Sequence, residues 1–86
     1  MRWTVVWSEE AGREVQRVLR SSRFAQQLAN ELVRLDARLA NDPEQLGESR
    51  EGQRRILIEL PFILAFQVLP DRHTVLVTEF RYHPGR

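Results

Sequence analysis

Near the end of the chain, Arg81-Tyr82-His83 places a fixed cation, a phenol and an imidazole within three residues. If they continue a β-strand, Arg81 and His83 point to one face together with Glu79, because strand side chains alternate. Tyr82 then points to the other face with Leu76 and Phe80. An imidazole titrating near neutrality can serve as general base or general acid, and a guanidinium presents a planar fork to phosphate. Glu48 and Arg50 of the GESR phrase and the adjacent pair Arg54-Arg55 add further candidates. Metal-free RNA cleavage needs groups of this kind. A base (His83 or Glu48) acts at the ribose 2′-hydroxyl, cations (Arg81 with Arg55 or Arg54) hold the phosphate oxygens, and an acid protonates the departing 5′-oxygen. Arg50 and Arg54 can contact the RNA backbone, and Tyr82 can stack on a base.

Each residue also has a plainer role. A histidine this close to a chain end is usually solvated, and Tyr82 beside Phe80 suits the core. Arg54 and Arg55 are neighbours and must diverge, so at most one shares a face with Arg81. Glu48 and Arg50 can form a solvated loop pair worth less than about 1 kcal/mol. His73 falls in a turn and is given no role.

The rest of the composition narrows the chemistry. All 13 basic residues are arginine, so there is no lysine nucleophile, Schiff base or phosphate-loop lysine. With no cysteine and only 2 histidines, neither a thiolate site nor a histidine-rich metal site can be assembled. No metal and no cofactor is therefore expected. The net charge of +1 hides an asymmetry, since residues 50–86 carry six arginines against four acids and both histidines. The most apolar window, Leu60 to Leu69, is far shorter than the roughly 20 residues that a membrane helix needs. One cytoplasmic domain over residues 1–86 is expected, with no membrane partner.

Trp3 to Trp7 alternates as a strand, with Trp3, Val5 and Trp7 on one face. Ser8, followed by Glu9 and Glu10, has the chemistry of a helix start. Ala11, Val15, Val18 and Leu19 form its apolar stripe. After a break at Arg20-Ser21-Ser22-Arg23, where either serine can cap the next helix, that second helix is marked by Ala25, Leu28, Leu32, Leu35 and Leu39. Asn41-Asp42-Pro43 stops it, and Glu44 to Gly52 is a polar loop. Three strands come next: Gln53 to Leu60, Phe62 to Leu69 and Thr74 to Arg81. Pro61 ends the first, and Pro70-Asp71-Arg72-His73 forms a turn before the last. The order β-α-α-β-β-β predicts an α+β fold, with a helical hairpin packed on one face of a mostly antiparallel, twisted four-stranded sheet.

VVWSEEA at the end of the first strand, the helical hairpin, GESR before an RRI strand, FILAFQV, a PDR turn and VLVTEFRYH together resemble the RelE/ParE superfamily. Its members are small toxins of bacterial type II toxin–antitoxin modules. The likeness runs from Trp3 to His83, and the Arg81-Tyr82-His83 ending and Arg54-Arg55-Ile56 are most similar to YoeB-like members. It implies a cognate antitoxin that wraps the sheet and helices, and an activity of one of two kinds. RelE-like and YoeB-like toxins cut messenger RNA on the ribosome, which is the first expectation here. ParE-like toxins poison DNA gyrase with no hydrolytic site, and a catalytically inactive antitoxin-binding relative is the third possibility. One departure weighs against cleavage. Where RNA-cleaving relatives place an arginine at the start of the central strand, this chain has Ile63, and a lost transition-state charge partner costs about 3–4 kcal/mol elsewhere. A net charge of +1 is also low for seating on ribosomal RNA.

Overall fold

Ser8 turns the chain from its first strand into its first helix. In the computed structural model, which describes residues 2–84, β1 (Thr4–Trp7) leads through Ser8 into α1 (Glu9–Ser21). The Ser8 hydroxyl accepts from the Ala11 N–H at 3.1 Å, satisfying one free donor of the first turn. It also donates to the Thr78 carbonyl at 3.3 Å, fastening the helix start to the last strand. α2 (Ala25–Asn41) buries Leu28, Leu32, Leu35 and Leu39, the stripe read from their spacing. The expected serine cap on α2 is absent. Phe24 occupies the cap position without a side-chain bond. Ser22 Oγ instead accepts from the Phe24 N–H, and Ser21 Oγ bonds back to the Arg17 and Val18 carbonyls. Short hydroxyl side chains readily take such local partners.

The sheet has five strands, not four: β2 (Glu48–Ser49), β3 (Arg54–Glu59), β4 (Phe62–Leu69) and β5 (Thr74–Tyr82) join β1 in the order β1-β5-β4-β3-β2. β1 runs parallel to β5, and the other pairings are antiparallel. The added strand lies within the expected loop, and two residues offer no periodicity by which to find it. It is held from outside itself. Gly47 sits at φ +69°, and Arg55 donates from Nε to the Leu46 carbonyl at 2.7 Å and from Nη2 to the Gly47 carbonyl at 3.2 Å.

The core lies between the helical hairpin and one face of the sheet. Phe62, Leu64, Phe66 and Val68 of β4 face Leu57 of β3 and Val75, Val77 and Phe80 of β5. Trp7 closes the β1 side, its indole N–H donating to Asp36 of α2 at 3.0 Å, while Trp3 stacks on His73 with ring centroids 4.3 Å apart. The register breaks once. Ala65 opposes Glu79 but Phe66 opposes Val77, leaving Thr78 as an extra residue whose hydroxyl donates to the Ala65 carbonyl. This bulge reverses the alternation of β5. Phe80 and Tyr82 therefore share the core face with Val75 and Val77, and the expected grouping of Leu76 with Phe80 and Tyr82 is corrected.

Two substitutions test these local arguments. Ser8→Ala is expected to lower unfolding free energy by about 1 kcal/mol in urea titrations. Gly47→Ala is expected to lower it by about 2 kcal/mol or more. A Cβ there would lie 2.4 Å from the Ile56 carbonyl oxygen, on a backbone that side chains rarely adopt.

Candidate functional site

The face of the sheet opposite the helices carries Arg81, Arg54 and Glu48, and strand register fixes their neighbours. One row runs Ile58–Ile63–Arg81, the next Glu48–Ile56–Ala65–Glu79, and the next Arg54–Gln67–Leu76–Val6. This face carries exposed apolar residues toward its margins, Ile58 at 65% and Val6 at 44%, around a buried Ala65 on the central strand. Burial of Ile63, Ile56 and Leu76 is intermediate.

Arg81 lies at one end, hydrogen-bonded to Glu79 Oε2 at 3.3 Å. Between β5 and α1 runs a cleft of about 300 Å³ lined by Glu10, Ala11, Glu14, Thr78, Glu79, Phe80 and Arg81. A hydrogen bond from Arg17 holds the Glu14 carboxyl below its ordinary range, and the positive charge of Arg81 adds to the effect. The Arg81 guanidinium is largely exposed, pairs with Glu79 at the surface and lies in the same cleft as the Glu14 carboxylate. His83, one residue beyond the end of β5, is exposed, and its N–H donates to the Pro61 carbonyl at 2.6 Å.

The other candidates lie elsewhere. Arg54 shares the open face with Arg81, but two strands and four residues of register separate them. That is roughly 17 Å between Cα atoms at ordinary strand spacings. Arg50 joins Arg54 at this far corner, its N–H bonded to the Arg54 carbonyl. Glu48, on the edge strand, accepts from Arg50 at 3.2 Å and is about 16 Å from Arg81 by the same spacings. Arg55 is on the helix-covered face, where its guanidinium holds the Leu46 and Gly47 carbonyls. Tyr82 is also on that face, half-buried, its ring 6.4 Å from that of Phe62. The structure therefore pairs Arg81 with Glu79, sets the exposed His83 two residues further along the chain, and leaves Arg54, Arg50 and Glu48 at the opposite corner. Among the described residues, no three His, Cys, Asp or Glu side chains are grouped as metal ligands, and no helix is long and apolar enough to cross a membrane.

Sequence reasoning placed Glu79 beside Arg81 but missed its pairing, and it missed the apolar row beside them. The signal for that row was Ile58 and Ile63 flanking the Leu60-Pro61 turn at equal distances, which makes them cross-strand partners.

No protein-family model matches the chain, and no curated protein matches it in sequence. Solved structures do match in fold. A chain of the RelBE2 toxin–antitoxin complex of Mycobacterium tuberculosis aligns over 96% of this chain and 93% of its own, with a TM-score of 0.77 and 15% identity. A chain of the chromosomal ParDE system of P. aeruginosa aligns over 94% and 96%, with a TM-score of 0.73 and 16% identity. The isolated E. coli RelE toxin aligns over 98% and 87%, with a TM-score of 0.64 and 19% identity. The chain has the α+β fold shared by RelE and ParE toxins, as its phrases suggested.

The two neighbouring arginines should behave differently when removed. Arg55→Ala frees two carbonyls and is expected to cost about 1–3 kcal/mol in chemical unfolding. Arg54→Ala, on the exposed face, should stay within about 0.5 kcal/mol of the parent.

Proposed function

We propose that this chain is the toxin of a type II toxin–antitoxin module, working in the cytoplasm and held inactive by a cognate antitoxin. We propose further that it poisons a protein target, DNA gyrase in the ParE-like manner, through the open face of its sheet. The fold supports the first part, since the matching structures include toxin–antitoxin complexes. What carries the second part is the row Ile58–Ile63–Arg81. Where a transferred phosphate would need converging cations, this row offers two isoleucines and one arginine already bonded to Glu79. An apolar surface with a charged rim is the ordinary anatomy of a protein-binding patch.

Ribosome-dependent messenger RNA cleavage is the second reading, and one observation favours it. Arg81 and His83 are two residues apart at the same end of the sheet, where the His83 backbone N–H donates to the Pro61 carbonyl, so one edge of the molecule carries both a guanidinium and an imidazole. In this reading Arg81 and His83 are catalytic, as in the YoeB-like ending, while Arg54 and Arg50 guide the RNA strand. Glu48, about 16 Å from Arg81 between Cα atoms, takes no part at that scissile bond in this reading.

The decisive comparison gives purified protein to programmed ribosomes and, separately, to a gyrase supercoiling reaction. We expect no new 5′-ends on the message by primer extension and inhibition of supercoiling. Ile58→Asp should weaken that inhibition about tenfold or more, while His83→Ala leaves it unchanged. Cuts in the decoding site that disappear in His83→Ala would reject the gyrase reading in favour of the nuclease.

A further inference from the structure

Where α2 passes the turn between β3 and β4, the two enclose a pocket of about 270 Å³. Its floor is apolar, formed by Leu35 and Phe62, both buried. Its rim is charged, with Glu31, Arg34 and Arg38 from α2 and Glu59 from the end of β3. Leu60, the first residue of the turn, completes the lining and is itself 55% exposed. A leucine standing in solvent thus adjoins an apolar hollow that no side chain of this chain fills.

The charges on the rim have a definite order. Residues three, four and seven apart share one face of a helix, so Glu31, Arg34, Leu35 and Arg38 form a single strip along α2. It reads acid, base, leucine, base. Arg38 and Glu59 form an exposed ion pair beside the pocket, whereas Glu31 and Arg34 enter no ion pair among the described residues. A partner of one sign, whether an acidic segment or a phosphate backbone, would meet like charge at half of this rim. A partner that suits it carries both signs in the reverse order, and a second copy of the chain does so by symmetry.

We infer that this surface joins two copies of the chain in a symmetric dimer. With the two α2 helices antiparallel about a two-fold axis beside Arg34 and Leu35, Glu31 of each copy lies opposite Arg38 of the other. Glu59, released from Arg38, meets Arg34 across the axis. The two pockets then face each other, and each Leu60 enters the hollow of the other copy. A two-fold contact of this kind uses the same patch on both sides. One strip of a helix and a turn fall short of the roughly 800 Å² a side of a standard interface, so the dimer is a weak one that forms at micromolar concentrations. The inference concerns self-association and does not depend on the cellular target.

The test is a concentration series of the purified protein in sedimentation velocity. The sedimentation coefficient is expected to rise to that of a dimer within the tens of micromolar. Glu31→Arg sets arginine against Arg38 of the other copy, and Arg38→Glu sets glutamate against Glu31. Each should raise the midpoint concentration about tenfold or more, with circular dichroism and thermal midpoint close to the parent's, because exposed pairs contribute little to the fold. An equimolar mixture of these two variants restores both cross-axis pairs and should associate as the parent does. Leu60→Glu, at an exposed position, should also keep the fold and weaken association. A monomer throughout the series, a folded Glu31→Arg or Leu60→Glu protein that associates like the parent, or a mixture no better than its components would each overturn the inference. None of these results bears on the ribosome and gyrase assays, so the two proposals fail separately.

Discussion

β5 has three neighbours at once, and the arrangement of the molecule depends on how it meets them. It pairs along its length with β4, takes β1 in parallel on its other side, and receives the start of α1 through the Ser8–Thr78 contact. A regular strand of this sequence would keep Val75, Val77, Glu79 and Arg81 on one face. Burying the valines would then bury the ion pair, a heavy desolvation penalty in so small a core. The bulge at Thr78 removes that conflict. It keeps Val75 and Val77 in the core, brings Phe80 and Tyr82 in beside them, and turns Glu79 and Arg81 out to solvent. The core and the outward display of charge depend on the same irregularity.

Much of the fold was legible in the sequence because its longest elements are strongly periodic. The four leucines of α2, the apolar run of β4 and the proline turns on either side of it fix the hairpin and the antiparallel meander. The illegible parts have specific physical causes. β2 is created by a left-handed glycine and by an arginine from the neighbouring strand, neither of which is a local strand signal. The bulge leaves only a phase slip, visible in retrospect as two valines succeeded at the same parity by Glu79 and Arg81. The cap of α2 was misread because a serine beside a helix start has several local backbone partners to choose from.

The candidate site was less legible than the fold, for a related reason. Residue types suggest which chemistry is available, but register decides which groups meet. Arg54 and Arg55 are indistinguishable in sequence, yet one stands on the open face and the other ties down a loop. Glu48 and His83 each suit a general base, yet they lie at opposite ends of the sheet.

The parallel pairing of β1 with β5 has a consequence for the order in which the protein can be made. β1 and α1 leave the ribosome first, but the strand that flanks β1 in the sheet is the last of the five to be synthesised. Until then Val5, Trp7 and the apolar stripe of α1 have no sheet to cover, and the chain must hold its longest-range contacts in reserve. A chain lacking β5 can still pair β2, β3 and β4, but β1 has no strand to join and α1 has lost the strand to which its start is fastened. Anything that intercepts the chain before β5 is made meets a sheet with its central edge open instead of a finished surface.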